Sequence, residues 1–392
     1  MFEVTQLFEA RTHGYHTYRI PALVATTRGT LLAFCAARHG KGGDWDPIDV
    51  VMRRSPDSGV TWEPQRVFAT QGNHTVDNPV PIVDRETGAI HFLHQVDYAR
   101  VYYLRSDDEG MSWSEARDIT ATIEEFRSDY AWRVVGPGPG HGIQLKSGRL
   151  VVPVWLSTGE GTEFGAGQLG HRPSCIATIY SDDHGATWRR GELVSCNSES
   201  VRNPNESVAV ELSDGRVMLN IRNESAPNRR LISFSPDGAT NWSEAQFHDE
   251  LFEPICFASS VRLSSAPKSR NRILFANPDN REAGRPPGYR MGNWLRRNLT
   301  IRLSYDEGNT WPVSKVLDPD FAGYSDLAVG PDGTIYCLYE GGGIQGNMFD
   351  NSHMSIAHFD LDWLTDGRDS LKNLSDFQDG ASERESTDAS NQ

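Results

Sequence analysis

Arginine is the residue of this chain with the most unspoken-for chemistry. Of 38 basic residues only five are lysines (Lys41, Lys146, Lys268, Lys315 and Lys372), which leaves 33 arginines. A guanidinium stays charged when a cleft desolvates it and grips a carboxylate through paired hydrogen bonds, so a convergent subset could form a receptor for a small anion. The formal net charge of −15 does not oppose this, because a local cluster overrides a distant field. It does argue against nucleic acid as a partner. Other chemistries have little footing. There is no Gly-x-Ser-x-Gly, no glycine-rich phosphate loop and no Cys-x-x-Cys pair. His91 and His94, three apart on a strand-like run, face opposite sides and make a poor metal pair. Cys35, Cys175, Cys196, Cys256 and Cys337 are scattered and odd in number, and read as buried free thiols. No cofactor and no metal are expected.

The elements that must position such a cluster are short and repeated. The octapeptide Ser-x-Asp-x-Gly-x-Thr/Ser-Trp begins at Ser55, Ser106, Ser181 and Ser304, and a degenerate copy begins at Ser235 with its glycine one place early. Asp and Ser bond backbone amides in a tight turn, Gly supplies a positive φ and Trp packs beneath. Each copy follows a β-rich run such as Val101-Tyr102-Tyr103-Leu104-Arg105 and so reads as a hairpin turn. The five tryptophans are 51, 75, 54 and 69 residues apart, a spacing that suits four-stranded blades with loops of unequal length. A second turn type, Ser213-Asp214-Gly215-Arg216 or Pro331-Asp332-Gly333-Thr334, separates further apolar runs. Long amphipathic helices are absent. The fold class read here is all-β, many short antiparallel strands in one domain, with a polar tail at 371–392. No run approaches the roughly 18 apolar residues of a membrane helix. Residues 1–6 lack the basic and apolar regions of a signal peptide, which together with free thiols leans toward the cytoplasm.

With these repeats, the tetrapeptide Tyr18-Arg19-Ile20-Pro21 near the N-terminus resembles the sialidases (neuraminidases) built on an Asp-box propeller, and the likeness covers nearly the whole chain. The resemblance implies a six-bladed β-propeller of four-stranded antiparallel blades. It also implies three arginines that bind the substrate carboxylate. Arg19 matches the first, Arg222 after the run Val217-Met218-Leu219-Asn220-Ile221 the second, and Arg302 in Thr300-Ile301-Arg302-Leu303-Ser304 the third. Arg296 and Arg297 are rivals for the third place; spacing to the last box favours Arg302. Arg38 matches an arginine that contacts the sugar's C4 hydroxyl.

The family nucleophile is a tyrosine. Sialic acid carries a carboxylate on its anomeric carbon, which would repel an anionic Asp or Glu, whereas a neutral phenol can approach and shed its proton as it attacks. Tyr324 in Gly323-Tyr324-Ser325-Asp326 matches that position and Glu206 in Asn205-Glu206-Ser207 its base. The acid/base should be an aspartate in the glycine-rich loop 38–49, which offers Asp44, Asp46 and Asp49; counting back from Arg53 favours Asp44 over its main rival Asp46. Asp97 and Tyr98 could line the pocket for the N-acyl or glycerol arm. The implied activity is that of a retaining exo-α-sialidase on sialylated glycans, glycoproteins or glycolipids. The alternatives are a relative preferring the deaminated sugar, a trans-sialidase, or a non-catalytic carbohydrate-binding propeller. That last reading predicts a missing Tyr/Glu pair or a missing arginine, and each has a candidate here.

Overall fold

The computed structural model describes residues 1–160, 169–265, 269–283 and 295–371, so the tail expected at 371–392 lies, apart from Leu371, outside the described residues. Runs of five to nine residues between turn glycines are too short to bury a face alone, and they associate as antiparallel sheets. Thr17–Ala25, Leu31–Arg38, Ile48–Ser55 and Arg66–Ala69 form the first, four-stranded and in chain order. Val76–Val83, Ile90–Val96, Arg100–Ser106 and Arg117–Asp118 form the second. The third joins Val134–Pro137, Leu150–Ser157, Ser174–Ser181 and Arg189–Cys196, with Ile143–Gln144 added beside Leu150–Ser157. The fourth is Ser207–Glu211, Val217–Ile221, Arg229–Ser235 and Gln246–Phe252.

The remaining strands form one seven-stranded sheet. Ser259–Ser264, Arg272–Pro278 and Arg297–Ser304 lead to the 17-residue strand Val313–Val329, which continues to Ile335–Gly341, His353–Phe359 and the N-terminal Phe2–Glu9. Hydrogen bonding therefore defines five sheets where six separate ones were expected, because Val313–Val329 pairs with Arg297–Ser304 through its first part and with Ile335–Gly341 through its second. The first strands of successive sheets touch in turn, except that the third sheet meets Ser207–Glu211 through Ile143–Gln144 and Leu150–Ser157, and Val313–Val329 returns to Thr17–Ala25, so the arrangement is propeller-like. The ring is locked where the N-terminal strand pairs with His353–Phe359 and the Met1 ammonium meets Asp360 at 2.6 Å. Strands covered on both faces read as unbroken apolar runs: all eight residues of Leu31–Arg38 are buried.

The boxes are built as their composition requires. In the first, Asp57 accepts from Ser55 Oγ (2.8 Å), Thr61 N (2.8 Å) and Thr61 Oγ1 (2.6 Å), while Ser55 Oγ accepts from Gly59 N (2.8 Å). Ser106, Ser181 and Ser304 open the same network. Each four-bond turn places two successive residues at positive φ, such as Glu109 (60°) and Gly110 (78°), which is why the second is glycine. Much of the arginine surplus lies between sheets. Arg54 Nε donates to the Glu109 carbonyl (2.8 Å), Arg117 to that of Gly185 (2.7 Å), and Arg149 pairs with Asp237 (2.9 Å), each reaching from one sheet to the next box.

One expectation is corrected. Cys175 and Cys196 are joined by a disulfide, their Cα atoms 4.0 Å apart as opposed residues of adjacent strands, while Cys35, Cys256 and Cys337 are free and buried. The two are distant in sequence, but the hairpin through the third box brings them face to face. Among the described residues no helix is long and apolar enough to cross a membrane.

A Cβ on Gly110 would lie 2.8 Å from the Leu32 side chain of the preceding sheet, whereas one on Gly72, also at positive φ, meets nothing. Gly110→Ala should therefore lose about 2–4 kcal/mol of stability and Gly72→Ala only about 1–2 kcal/mol. Chemical denaturation compares them, and equal losses would show that the box glycines do not limit packing between sheets.

Candidate functional site

Strand direction sorts the molecule into two ends. The boxes follow the third strand of each sheet. At the opposite end lie the start of the first strand, the end of the second and the loop into the third. Arg19 lies at the start of Thr17–Ala25, and Glu206 one residue before Ser207–Glu211. Arg38 closes Leu31–Arg38, Arg222 follows Val217–Ile221, and Glu340 is near the end of Ile335–Gly341. Asp44 is in the loop before Ile48–Ser55, and Arg296 immediately precedes Arg297–Ser304. Bulges aim the first-strand residues. The register slips between Arg19 and Ala22 and again between Asp77 and Val80, where Ile20 and Asn78 both sit at φ 58°. Positive φ is a strained state for β-branched Ile20, and the Glu340 carboxylate holds it by accepting Ile20 N at 3.0 Å.

Tyr324 is at the centre. Its hydroxyl donates to Glu206 Oε2 at 2.6 Å and accepts from Arg222 Nη1 at 2.6 Å; the same Arg222 nitrogen also contacts the Glu206 carboxylate. Three guanidinium carbons surround its ring, those of Arg19 and Arg296 at 5.2 Å and of Arg222 at 5.8 Å from the centroid. Glu340 binds Arg19 Nε (3.1 Å) and Tyr324 N (3.0 Å), so one buried carboxylate fixes an arginine and the phenol's backbone together. Arg296 donates one nitrogen to the Ile255 carbonyl (2.7 Å) and has no carboxylate partner among the described residues; its Nη1, like Arg222 Nε, is buried without an acceptor there. Beside this group, Arg38 Nη1 donates to Asp44 at 2.6 Å and Nη2 to Asp77 at 3.5 Å, and Arg19 Nη1 is 3.9 Å from Asp44.

Protonation follows from these contacts. Burial pushes the Tyr324 phenol up, with Glu206 adding and Arg222 opposing, so it is neutral and its proton lies toward Glu206. Burial would raise Asp44 too, but Arg38 and Arg19 outweigh it and hold the carboxyl well below the ordinary range. Asp77 is the converse case: burial, only partly offset by Arg38, raises it to about 6.

The structure redistributes the expected residues. Arg19, Arg222, Tyr324, Glu206, Arg38 and Asp44 come together. Arg302 does not join them. It lies in the middle of Arg297–Ser304 and contacts Asp279, and the arginine over Tyr324 is its rival Arg296. Proximity to the box, which favoured Arg302, marks the far end of the third strand. Arg297 turns to Asp320 at 3.1 Å. Asp46 accepts from Lys41 N and Gly43 N, both 2.9 Å, and shapes its own loop, while Asp49 is bonded to Tyr15 and His39. Asp97 is also corrected: it points to His74 (2.6 Å) and Thr75 N (3.0 Å). Tyr98 is buried against Trp45 at the edge of the Asp44–Asp77 group. Sequence reasoning missed Glu340 and Asp77. A signal existed for both, an acid ending the apolar run Ile335-Tyr336-Cys337-Leu338-Tyr339, and a charged residue two places before Pro79 just as Arg19 stands two before Pro21.

Residues 29–337 match the BNR repeat-like domain family. Human sialidase-3 is 31% identical to the chain, the alignment covering 83% of this chain and 86% of that protein. The chain belongs to the sialidase family. The sialidase of Micromonospora viridifaciens is 34% identical over 90% of this chain, which spans only 52% of that protein. Among solved structures, the Hadza microbial sialidase Hz136 superposes with a TM-score of 0.73 at 26% identity, covering 92% of this chain and 69% of that one.

For this sialidase-family chain the geometry makes a sharp distinction between two arginines. Arg296→Ala should weaken binding of free sialic acid about 10- to 100-fold, the loss of one desolvated charge-assisted contact. Arg302→Ala should change it less than about threefold, since Asp279 already occupies that guanidinium. Calorimetric titration of both variants decides; the reverse ranking would return the third anion contact to Arg302.

Proposed function

We propose that this chain is a retaining exo-α-sialidase acting through a tyrosyl glycosyl-enzyme. The observation that carries the reading is the Tyr324 hydroxyl, bonded at once to Glu206 and Arg222 beneath three guanidiniums. Arg19, Arg222 and Arg296 bind the carboxylate on the anomeric carbon and so place that carbon over the phenol oxygen. As the glycosidic C–O bond breaks, Asp44 gives its proton to the departing oxygen. Tyr324 passes its own proton to Glu206 and bonds the anomeric carbon. Asp44, now a carboxylate, takes a proton from water; the oxygen of that water displaces the tyrosyl oxygen, which recovers its proton from Glu206. Two inversions return the sugar as the α-anomer. Arg38, with Asp77 behind it, faces the neighbouring part of the ring and suits a hydroxyl there.

The same reading takes the seven-stranded sheet as two four-stranded blades sharing Val313–Val329, which makes six blades. Its support is the register: residues 313–321 pair on one side and 322–329 on the other, with the chain's N-terminus supplying the last outer strand.

Asp44 must be protonated to act first as an acid, yet Arg38 and Arg19 keep it ionised. A substrate carboxylate on Arg19 cancels part of that field and raises Asp44 toward the ordinary range. Binding of an uncleavable sialic acid analogue at about pH 3 should therefore take up protons, read from the dependence of the binding heat on buffer ionisation enthalpy. Asp44→Asn should abolish the uptake; its persistence would assign the proton elsewhere. In turnover of a fluorogenic sialoside, Tyr324→Phe should lose at least about 10²-fold in kcat. Proton NMR should show α-sialic acid as the first product. Full activity in Tyr324→Phe, or the β-anomer appearing first, would overturn the mechanism.

A further inference from the structure

The loop that carries Asp44 is poorly suited to hold anything still. Gly40, Gly42 and Gly43 account for three of residues 39–47, and Gly40 and Gly42 sit at positive φ. Such a segment loses much backbone entropy when it is fixed. Asp46 binds two amides of its own loop, His39 N reaches the Pro47 carbonyl at 3.0 Å, and Thr75 Oγ1 donates to the Asp46 carbonyl at 2.8 Å. These fix the loop's shape and its base. At the crest Arg38 Nη1 donates to the Gly42 carbonyl (3.0 Å) and to Asp44 (2.6 Å), a tie that a charge entering the site would weaken, and the packing there comes from the neighbouring side chain Trp45.

Trp45 extends from the first sheet toward the second and third. Its ring lies 4.8 Å from that of Tyr98 and stacks on His171 at 5.5 Å and 22°. Trp155 closes the group, 5.3 Å from His171 and 5.9 Å from Tyr98. The contact is one of packing: the indole N–H is buried with no acceptor among the described residues. Offset and tilted aromatic pairs of this kind attract one another beyond the area they bury. That attraction favours one loop arrangement over others.

We propose that Trp45 is a positioning residue for the acid/base: seated among Tyr98, His171 and Trp155, its indole fixes the 39–47 loop so that the Asp44 carboxyl meets the glycosidic oxygen. This rests on the reading of Asp44 as the acid. A displaced acid matters only when the leaving group needs a proton, because a phenolate of low basicity departs without one while a sugar alkoxide does not. A misplacement of about 1 Å can cost about 10²-fold. The role therefore has a signature that general damage lacks.

The experiment measures kcat/KM on two substrates, an activated aryl sialoside and sialyllactose, for the full chain and for Trp45→Ala, Trp45→Phe and Asp44→Ala, with melting curves for each. Asp44→Ala should lose about 10²- to 10⁴-fold on sialyllactose and far less on the aryl substrate. Trp45→Ala should lose at least about tenfold on sialyllactose and less than about threefold on the aryl sialoside, and Trp45→Phe, which keeps the ring face and gives up only an unbonded N–H, should stay within about threefold on both. Should Trp45→Ala fail to fold, Trp45→Leu replaces it and is expected to show the same selectivity. Equal losses on both substrates, or no loss on sialyllactose, overturn the positioning role alone. An unselective loss in Asp44→Ala, or no turnover of either substrate by the unaltered chain, overturns the functional reading and this inference with it.

Discussion

Everything at this site depends on bringing three like charges around one phenol in a place where water cannot screen them. Arg19, Arg222 and Arg296 are all buried and all lie within 6 Å of the Tyr324 ring. Buried charge is tolerated only when it is paired and hydrogen-bonded. The chain meets that condition unevenly. Arg19 has Glu340 and Arg222 has Glu206, both carboxylates rigidly placed. Arg296 rests on a carbonyl and on the faces of Tyr324 and Phe349. Arg296 therefore lacks a carboxylate partner among the described residues, and on the proposed reading an anionic ligand would complete that pairing.

The ring separates two tasks along the strand direction. Box turns, with their four-bond networks and inter-sheet arginines, occupy one end and hold the sheets together. Bulges, strand ends and loops into the third strand occupy the other and aim side chains inward. At that second end Glu340 props the strained Ile20, the guanidinium of Arg19 and the backbone of Tyr324 with a single carboxylate. The first strand and the last inner strand of the ring are thus fastened to each other at the point where the chemistry would occur. A change in how the ring closes would register directly in the distance between anion receptor and nucleophile.

How much of this was legible in the sequence follows from the same division. Repeated boxes and turn glycines report local conformation, so the all-β class and the short antiparallel strands could be read from residue types alone. Tyr18-Arg19-Ile20-Pro21 and Asn205-Glu206-Ser207 were matched through the family resemblance, and the structure puts them at a bulge and just ahead of a strand. Arg296 was not, because three arginines lie within seven residues and only the direction of the third strand says which one faces the site; the box nearby pointed to the wrong end. The cross-strand disulfide was hidden for a related reason, since opposition depends on hairpin register and not on spacing. The continuity of Val313–Val329 between two sets of partner strands escaped notice because proline and aspartate at residues 318–320 look like a break, yet the strand continues through them.

The site also holds two titrating groups in states opposite to those the proposed bond cleavage would require. Asp44 is ionised where a proton is needed, and Tyr324 is protonated where an oxyanion is needed. Arg19 acts on both, beside Arg38 for Asp44 and beside Arg222 and Glu206 for Tyr324, so one charge placed on it would bear on both. A carboxylate placed among the guanidiniums weakens their hold on Asp44 and raises its proton affinity. As the anomeric carbon then becomes electron-poor above the phenol, the proton already shared with Glu206 has reason to transfer. An aryl or alkyl glycoside lacking the carboxylate would fill the space without causing either change. Selectivity for an acidic sugar would then arise less from the strength with which it is held than from its being the ligand whose charge puts the catalytic groups into their working states.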